Sequence, residues 1–262
     1  MKARVNGINI NYRVDGRDDA PWVTFSNSLV TTHRMWDDQV DAFSERFRLL
    51  RYDQRGHGDT DAPPGPYTLD MLTDDVLGLL DALGIDQTHF IGCSMGGMTG
   101  INLALREPSK LRALVLCDTP SRDPYNPAIW EQRFETIRTA GTMEPMVGVA
   151  RERFLTALTQ ESRRQVSERI LTMVRRTPIE GYIGCSATLS GFDPLASLSA
   201  IDVPTLVVVG EQDASTPVAM AEELHERIAG SRLVILEGAA HLSNVDQPEA
   251  FNEAVLEFLA AH

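Results

Sequence analysis

Cysteine is scarce in this chain. The three present, Cys93, Cys117 and Cys185, form no CxxC pair and no Cys/His cluster. That excludes a disulfide framework and a zinc site, and fits buried thiols in a reducing compartment. Long apolar runs are missing too: no 18-residue apolar stretch exists, so no membrane span is expected. The opening, MKARVNGINI, alternates polar and apolar residues and lacks the apolar centre of a secretory leader, so a cytoplasmic protein is expected. Positive charge is in deficit, with 24 Lys and Arg against 37 Asp and Glu, a net −13. Such a surface repels nucleic acid and anionic membranes. Neither repeats nor low-complexity linkers interrupt the 262 residues, and 43% hydrophobic composition suffices for a large core.

What is present is an alternation. ARVNGINI and NYRVDG read as antiparallel strands turning near Asn6-Gly7. Six further strands are predicted from Trp22, Arg48, Thr88, Leu111, Thr205 and Arg232, most of them continuous Val/Ile/Leu runs suited to burial on both faces of a parallel sheet. Amphipathic helices are predicted over Thr68 to Leu83, Met95 to Glu107, Val218 to Ile228 and Gln247 to Ala260. The class is therefore α/β, a mostly parallel eight-stranded sheet flanked by helices. Residues 120–199 break the rhythm. IWEQRFETIRTAG, MVGVARERFLTAL and ESRRQVSERILTMVRR read as helices, with no clear strand among them. The expected organisation is a core of 1–119 and 200–262 with a helical lid at 120–199, placed where α/β sheets keep their ligands.

The stretch Gly92-Cys93-Ser94-Met95-Gly96 closes one strand and opens a helix. In that setting Gly-x-Ser-x-Gly forms a sharp turn that lifts a serine hydroxyl above the sheet edge, at the positive end of the helix dipole. A serine needs a base. Of six histidines, His241 follows the last strand and precedes the last helix, at the same sheet edge; a helix cap is its bland alternative. The supporting acid is expected at Asp213, after the penultimate strand, with Asp118 as rival and Glu211 still open. Asp213 could equally cap the helix at Val218. Two N–H donors should hold a developing oxyanion: Met95, next to the serine, and Leu29, in the loop SNSLVTT.

The stretches SNSLVTTHRMWDDQ, RYDQRGHGDTDAPPGPYTLD, HFIGCSMGGMTG, EGYIGCSATLSGFD and VPTLVVVGEQDASTP together resemble the α/β-hydrolase superfamily over essentially the whole chain. Within it the chain is most similar to the 3-oxoadipate enol-lactonases and their close relatives, which share Asn27-Ser28 where many α/β-hydrolases carry His-Gly. The resemblance implies a Ser94, Asp213 and His241 triad, an oxyanion hole at Leu29 and Met95, and opening of a small lactone without metal or organic cofactor. A lactone bearing a carboxylate would need a cationic anchor, and Arg133, with Trp130 one turn away, and Arg34 are the candidates. One departure is Phe154, standing where the enol-lactonases tend to carry an indole. Alternatives on the same fold are a carboxylesterase, an acyl-homoserine lactonase, a cofactor-free perhydrolase and a non-catalytic ligand-binding receptor. The expected partner is a small-molecule lactone or ester, not nucleic acid or membrane.

Overall fold

The computed structural model describes the chain apart from residues 124 and 126 and the side chain of residue 127, all within the expected insertion. Strands β1 (Lys2–Val5) and β2 (Ile8–Gly16) form the expected hairpin, with Val5 opposite Ile8 across a two-residue turn. Asn6 and Gly7 both take positive φ there, 48° and 81°, as a primed turn requires. The other strands are β3 (Trp22–Ser26), β4 (Arg48–Tyr52), β5 (Thr88–Cys93), β6 (Leu111–Cys117), β7 (Thr205–Gly210) and β8 (Arg232–Leu236). Among the described residues they form one eight-stranded sheet in the order β1-β2-β4-β3-β5-β6-β7-β8. β2 pairs antiparallel with both β1 and β4, and the remaining pairs are parallel.

Burial explains the parallel block. Every residue of β5 and of β7 is buried, because helices cover both faces. These helices are α1 (Val40–Ser44), α2 (Leu69–Ala82), α3 (Met95–Arg106), α9 (Val218–Arg227), α10 (Ser243–Asp246) and α11 (Pro248–Leu259), the numbering leaving room for those between β6 and β7. The core lies in two layers. Phe90, Leu114 and Val207 belong to one, and Phe25, Ile91 and Val208 to the other, as alternation along each strand dictates. Cys93, Cys117 and Cys185 are buried free thiols. Among the described residues no helix is long and apolar enough to cross a membrane.

The segment between β6 and β7 is helical, as expected, but divided differently. It comprises α4 (Pro127–Ala140), α5 (Glu144–Arg153), α6 (Ala157–Ser162), α7 (Arg164–Arg176) and α8 (Ile179–Leu189). MVGVARERFLTAL reads as one helix, yet the chain breaks between Arg153 and Ala157. Tertiary bonds win there. The carbonyls of Arg153 and Phe154 accept the N–H groups of His241 and Leu242 at 3.4 and 2.9 Å. Thr156 donates its N–H and hydroxyl to the Asp246 carboxylate at 3.2 and 3.3 Å and caps α6. Helix α8 escapes the pattern because Gly181 and Gly184 weaken its helical signal.

Candidate functional site

Parallel pairing carries the predicted residues to one edge. β3 and β5 are neighbours, with Ser26 beside Gly92, so the loop after β3 and the turn after β5 emerge together. The sheet order reverses at β3, the place where open α/β sheets form their crevice. Ser94 sits in the turn with φ 54° and ψ −113°, a conformation that L residues avoid and that only a tightly determined turn holds. Gly96 makes that turn possible: a Cβ there would lie 2.3 Å from the carbonyl oxygen of Ser26. The Ser94 N–H is tied to the Cys117 carbonyl at 2.9 Å.

β7 and β8 likewise pair in register, and the loops that follow them meet. Gly210 permits the approach, since a Cβ at that position would lie 2.3 Å from the Ala240 carbonyl oxygen. His241 Nδ1 then lies 2.8 Å from Asp213 Oδ2. The Asp213 carboxylate accepts three more hydrogen bonds, from the N–H groups of Ser215 and Thr216 at 2.7 and 3.0 Å and from the Thr216 hydroxyl at 2.6 Å. Burial disfavours charge on both partners, but their attraction prevails. It holds the Asp213 carboxyl below its usual range and the His241 imidazole above its own.

Asp118, the rival acid, is fully buried at the end of β6 and faces elsewhere. Its Oδ1 accepts the Gly210 N–H at 2.9 Å, and its Oδ2 accepts the Ser243 N–H and hydroxyl at 3.2 and 2.6 Å. Burial and the nearby Asp213 charge push its carboxyl up. Glu211 accepts the N–H of Gly238, away from His241.

Ser94 and His241 line one cavity, together with Leu29, Ser28, Val30 and, from the helices above, Trp130, Arg133, Met146, Arg153, Phe154 and Tyr182. Among the described residues no hydrogen bond engages the N–H of Leu29 or of Met95, and the Met95 N–H is the first of α3, without an intrahelical partner. Arg133 lies over the rings of Tyr125 and Trp130, 4.4 and 5.3 Å from their centroids. Trp130 is 3% exposed, and its indole N–H, buried among the described residues, has no acceptor. Arg34 does not come to this cavity. It is solvent-exposed, pairs with Asp37 at 3.4 Å and lines a separate groove with His33 and Arg169, because the helical turn after Thr32 rotates it outward.

The sequence reading missed Arg153, which reaches the cavity where α5 breaks. It donates to the Tyr125 hydroxyl and the Ala214 carbonyl, both at 3.2 Å. Its signal was the mismatch between an unbroken helical pattern and the family resemblance at RERFLTAL. Phe154 follows directly, with its ring 5.5 Å from the imidazole of His241.

Comparison with known proteins settles the lineage. The family described as alpha/beta hydrolase fold matches residues 21–248. The chain belongs to the α/β-hydrolase family. This hydrolase is 38% identical over 248 residues to 3-oxoadipate enol-lactonase 2 of Acinetobacter baylyi, covering 95% of this chain and 92% of that protein. It is similar to the crystal structure of the enol-lactonase from Burkholderia xenovorans, with 40% identity, a TM-score of 0.95, and 99% and 100% of the two chains covered. A thermophilic esterase from Thermogutta terrifontis, solved with malate bound, is 28% identical with a TM-score of 0.92, over 100% of this hydrolase and 98% of that chain.

Proposed function

We propose that the protein is a serine hydrolase that opens a small carboxylate-bearing lactone of the 3-oxoadipate enol-lactone kind through an acyl-enzyme. As an α/β-hydrolase with enol-lactonases among its relatives, it is a carboxylic ester hydrolase. The observation that carries the finer reading is the strained Ser94 facing the same cavity as an imidazole bound to a buried carboxylate.

In this reading His241 takes the Ser94 proton as the hydroxyl attacks the lactone carbonyl. The Leu29 and Met95 N–H groups hold the oxyanion. The ring C–O bond breaks as His241 returns the proton to the departing oxygen, leaving an acyl-serine that His241-activated water hydrolyses. Asp213 keeps the imidazole in its Nδ1–H tautomer and stabilises the imidazolium without taking the proton. The helices at 120–199 act as the lid, supplying the apolar wall and the cationic anchor. Arg133 and Arg153, with the indole N–H of Trp130, which has no acceptor among the described residues, offer donors for a carboxylate in a cavity otherwise lined by Met146, Val149 and Ala150.

The decisive test is Ser94→Ala assayed on a panel of lactones and p-nitrophenyl esters, with fluorophosphonate labelling of both proteins. Turnover and labelling are expected to vanish while thermal unfolding stays close to wild type. Full turnover by the variant would end the serine mechanism.

A further inference from the structure

The residue that follows Leu29 is Val30, a β-branched residue at φ 59°. Left-handed backbone at such a residue is strained and persists only where neighbours hold it. The neighbours are identifiable. The Val30 N–H donates to His57 Nε2 at 2.9 Å, and the Val30 carbonyl faces the Thr177 hydroxyl at 3.4 Å. One peptide earlier, the Ser28 carbonyl accepts the Asn27 side-chain amide at 2.9 Å, the Thr31 hydroxyl at 2.8 Å and the Thr31 N–H at 3.2 Å. A trans peptide sets its N–H opposite its C=O, so fixing the Ser28 carbonyl inside the loop turns the Leu29 N–H the other way, outward from the loop. The Leu29–Val30 peptide completes the frame, and His57 is its anchor.

His57 is fitted for that task. It is fully buried and lies outside the cavity lining. Its Nδ1 is 3.1 Å from the Arg55 carbonyl, so the ring proton resides on Nδ1 and Nε2 is left as acceptor. Arg55 itself is locked to Asp75 on α2 by two hydrogen bonds of 2.8 and 2.7 Å, one from Nε and one from a terminal nitrogen, which holds the base of the loop still.

We propose that His57 is a positioning residue for the oxyanion hole: its neutral Nε2 holds the Val30 N–H, keeps Val30 left-handed and so presents the Leu29 N–H to the reacting carbonyl. This rests on the serine-hydrolase reading of the same site. His57 touches no reacting atom, so its loss should lower kcat and spare KM.

The experiment compares His57→Gln, whose side-chain carbonyl reaches the Nε2 position, with His57→Asn, which stops near Nδ1. Each is checked for folding by circular dichroism and thermal unfolding. His57→Asn should lose roughly 100-fold in kcat, the scale of one oxyanion donor, with KM within about twofold. His57→Gln should keep most of the rate. Adding Val30→Gly to His57→Asn should recover about tenfold, because glycine takes the left-handed conformation without a clamp. Wild-type kcat in folded His57→Asn, equal losses in the two variants, a loss confined to KM, or no recovery with glycine each overturns the proposal. If His57→Asn does not fold, a folded His57→Gln that has lost the rate overturns it as well. Ser94→Ala separates the two claims. Full activity there removes the serine mechanism, whereas an inactive Ser94→Ala beside a fully active His57→Asn removes only the role of His57.

Discussion

Asp118 and Asp213 are joined through Thr216, whose hydroxyl lies 2.9 Å from the Asp118 carbonyl oxygen and 2.6 Å from the Asp213 carboxylate. The two acids emerge from adjacent strands, yet only Asp213 bonds the imidazole. Their neutral-amide and alanine variants should therefore behave differently.

Asp213→Asn should leave the fold in place and lower kcat by about 10⁴-fold, because an amide lets the imidazole settle in the wrong tautomer. The pH profile gives a second readout. In the proposed mechanism His241 must be neutral to act as base, so activity should be lost as pH falls through its pKa. Asp213 raises that pKa above the ordinary value of 6.5, which places the wild-type acid limb above pH 6.5. Removing the carboxylate should move the residual acid limb to lower pH in a plot of kcat/KM.

Asp118→Ala should act mainly on stability. It strips acceptors from the Gly210 N–H and the Ser243 N–H and hydroxyl, all buried. The expected cost is about 2–4 kcal/mol by urea unfolding, since each orphaned donor keeps its desolvation penalty. The kcat of the folded fraction should fall far less than in Asp213→Asn; the reverse ranking would make Asp118 the supporting acid.

Arg133→Gln and Arg153→Gln should discriminate between substrates. Each removes a cation from the cavity wall, so kcat/KM for carboxylate-bearing lactones should drop about 10- to 100-fold, through KM. Neutral p-nitrophenyl esters should be affected less than threefold. Arg34→Gln should change neither, because its guanidinium faces another groove.

Gly96→Ala and Gly148→Ala make a matched pair. A methyl at Gly96 would meet the Ser26 backbone 2.3 Å away, so the turn must open and stability should fall by about 1–3 kcal/mol. Gly148 lies inside α5 with nothing within 4 Å of a new Cβ. Alanine there should stabilise by roughly 0.5–1 kcal/mol in thermal unfolding.

Local chemistry was legible wherever it acts over a few residues. Asn6-Gly7 announces its turn, the uniform Val/Ile/Leu runs announce buried strands, and Thr68 caps α2 where its amphipathic pattern begins. The order serine, acid, histidine could be set out along the chain for the same reason, because each candidate follows a recognisable strand. A helical period says nothing of what lies across the fold, however. The α5 break, the arrival of Arg153 and the outward turn of Arg34 all escaped it.

The linear chain by itself determined the alternation of strands and helices, the tight turn at Ser94 and the short menu of partners for that serine, since periodicity and small residues express themselves through nearest neighbours. Only the assembled sheet decided which carboxylate meets His241, which arginines face the cavity and what clamps Val30. Those choices depend on hydrogen bonds between groups from 27 to more than 80 positions apart, such as His57 with Val30 or Thr156 with Asp246, and such bonds form only once parallel strand packing has brought their loops to one rim.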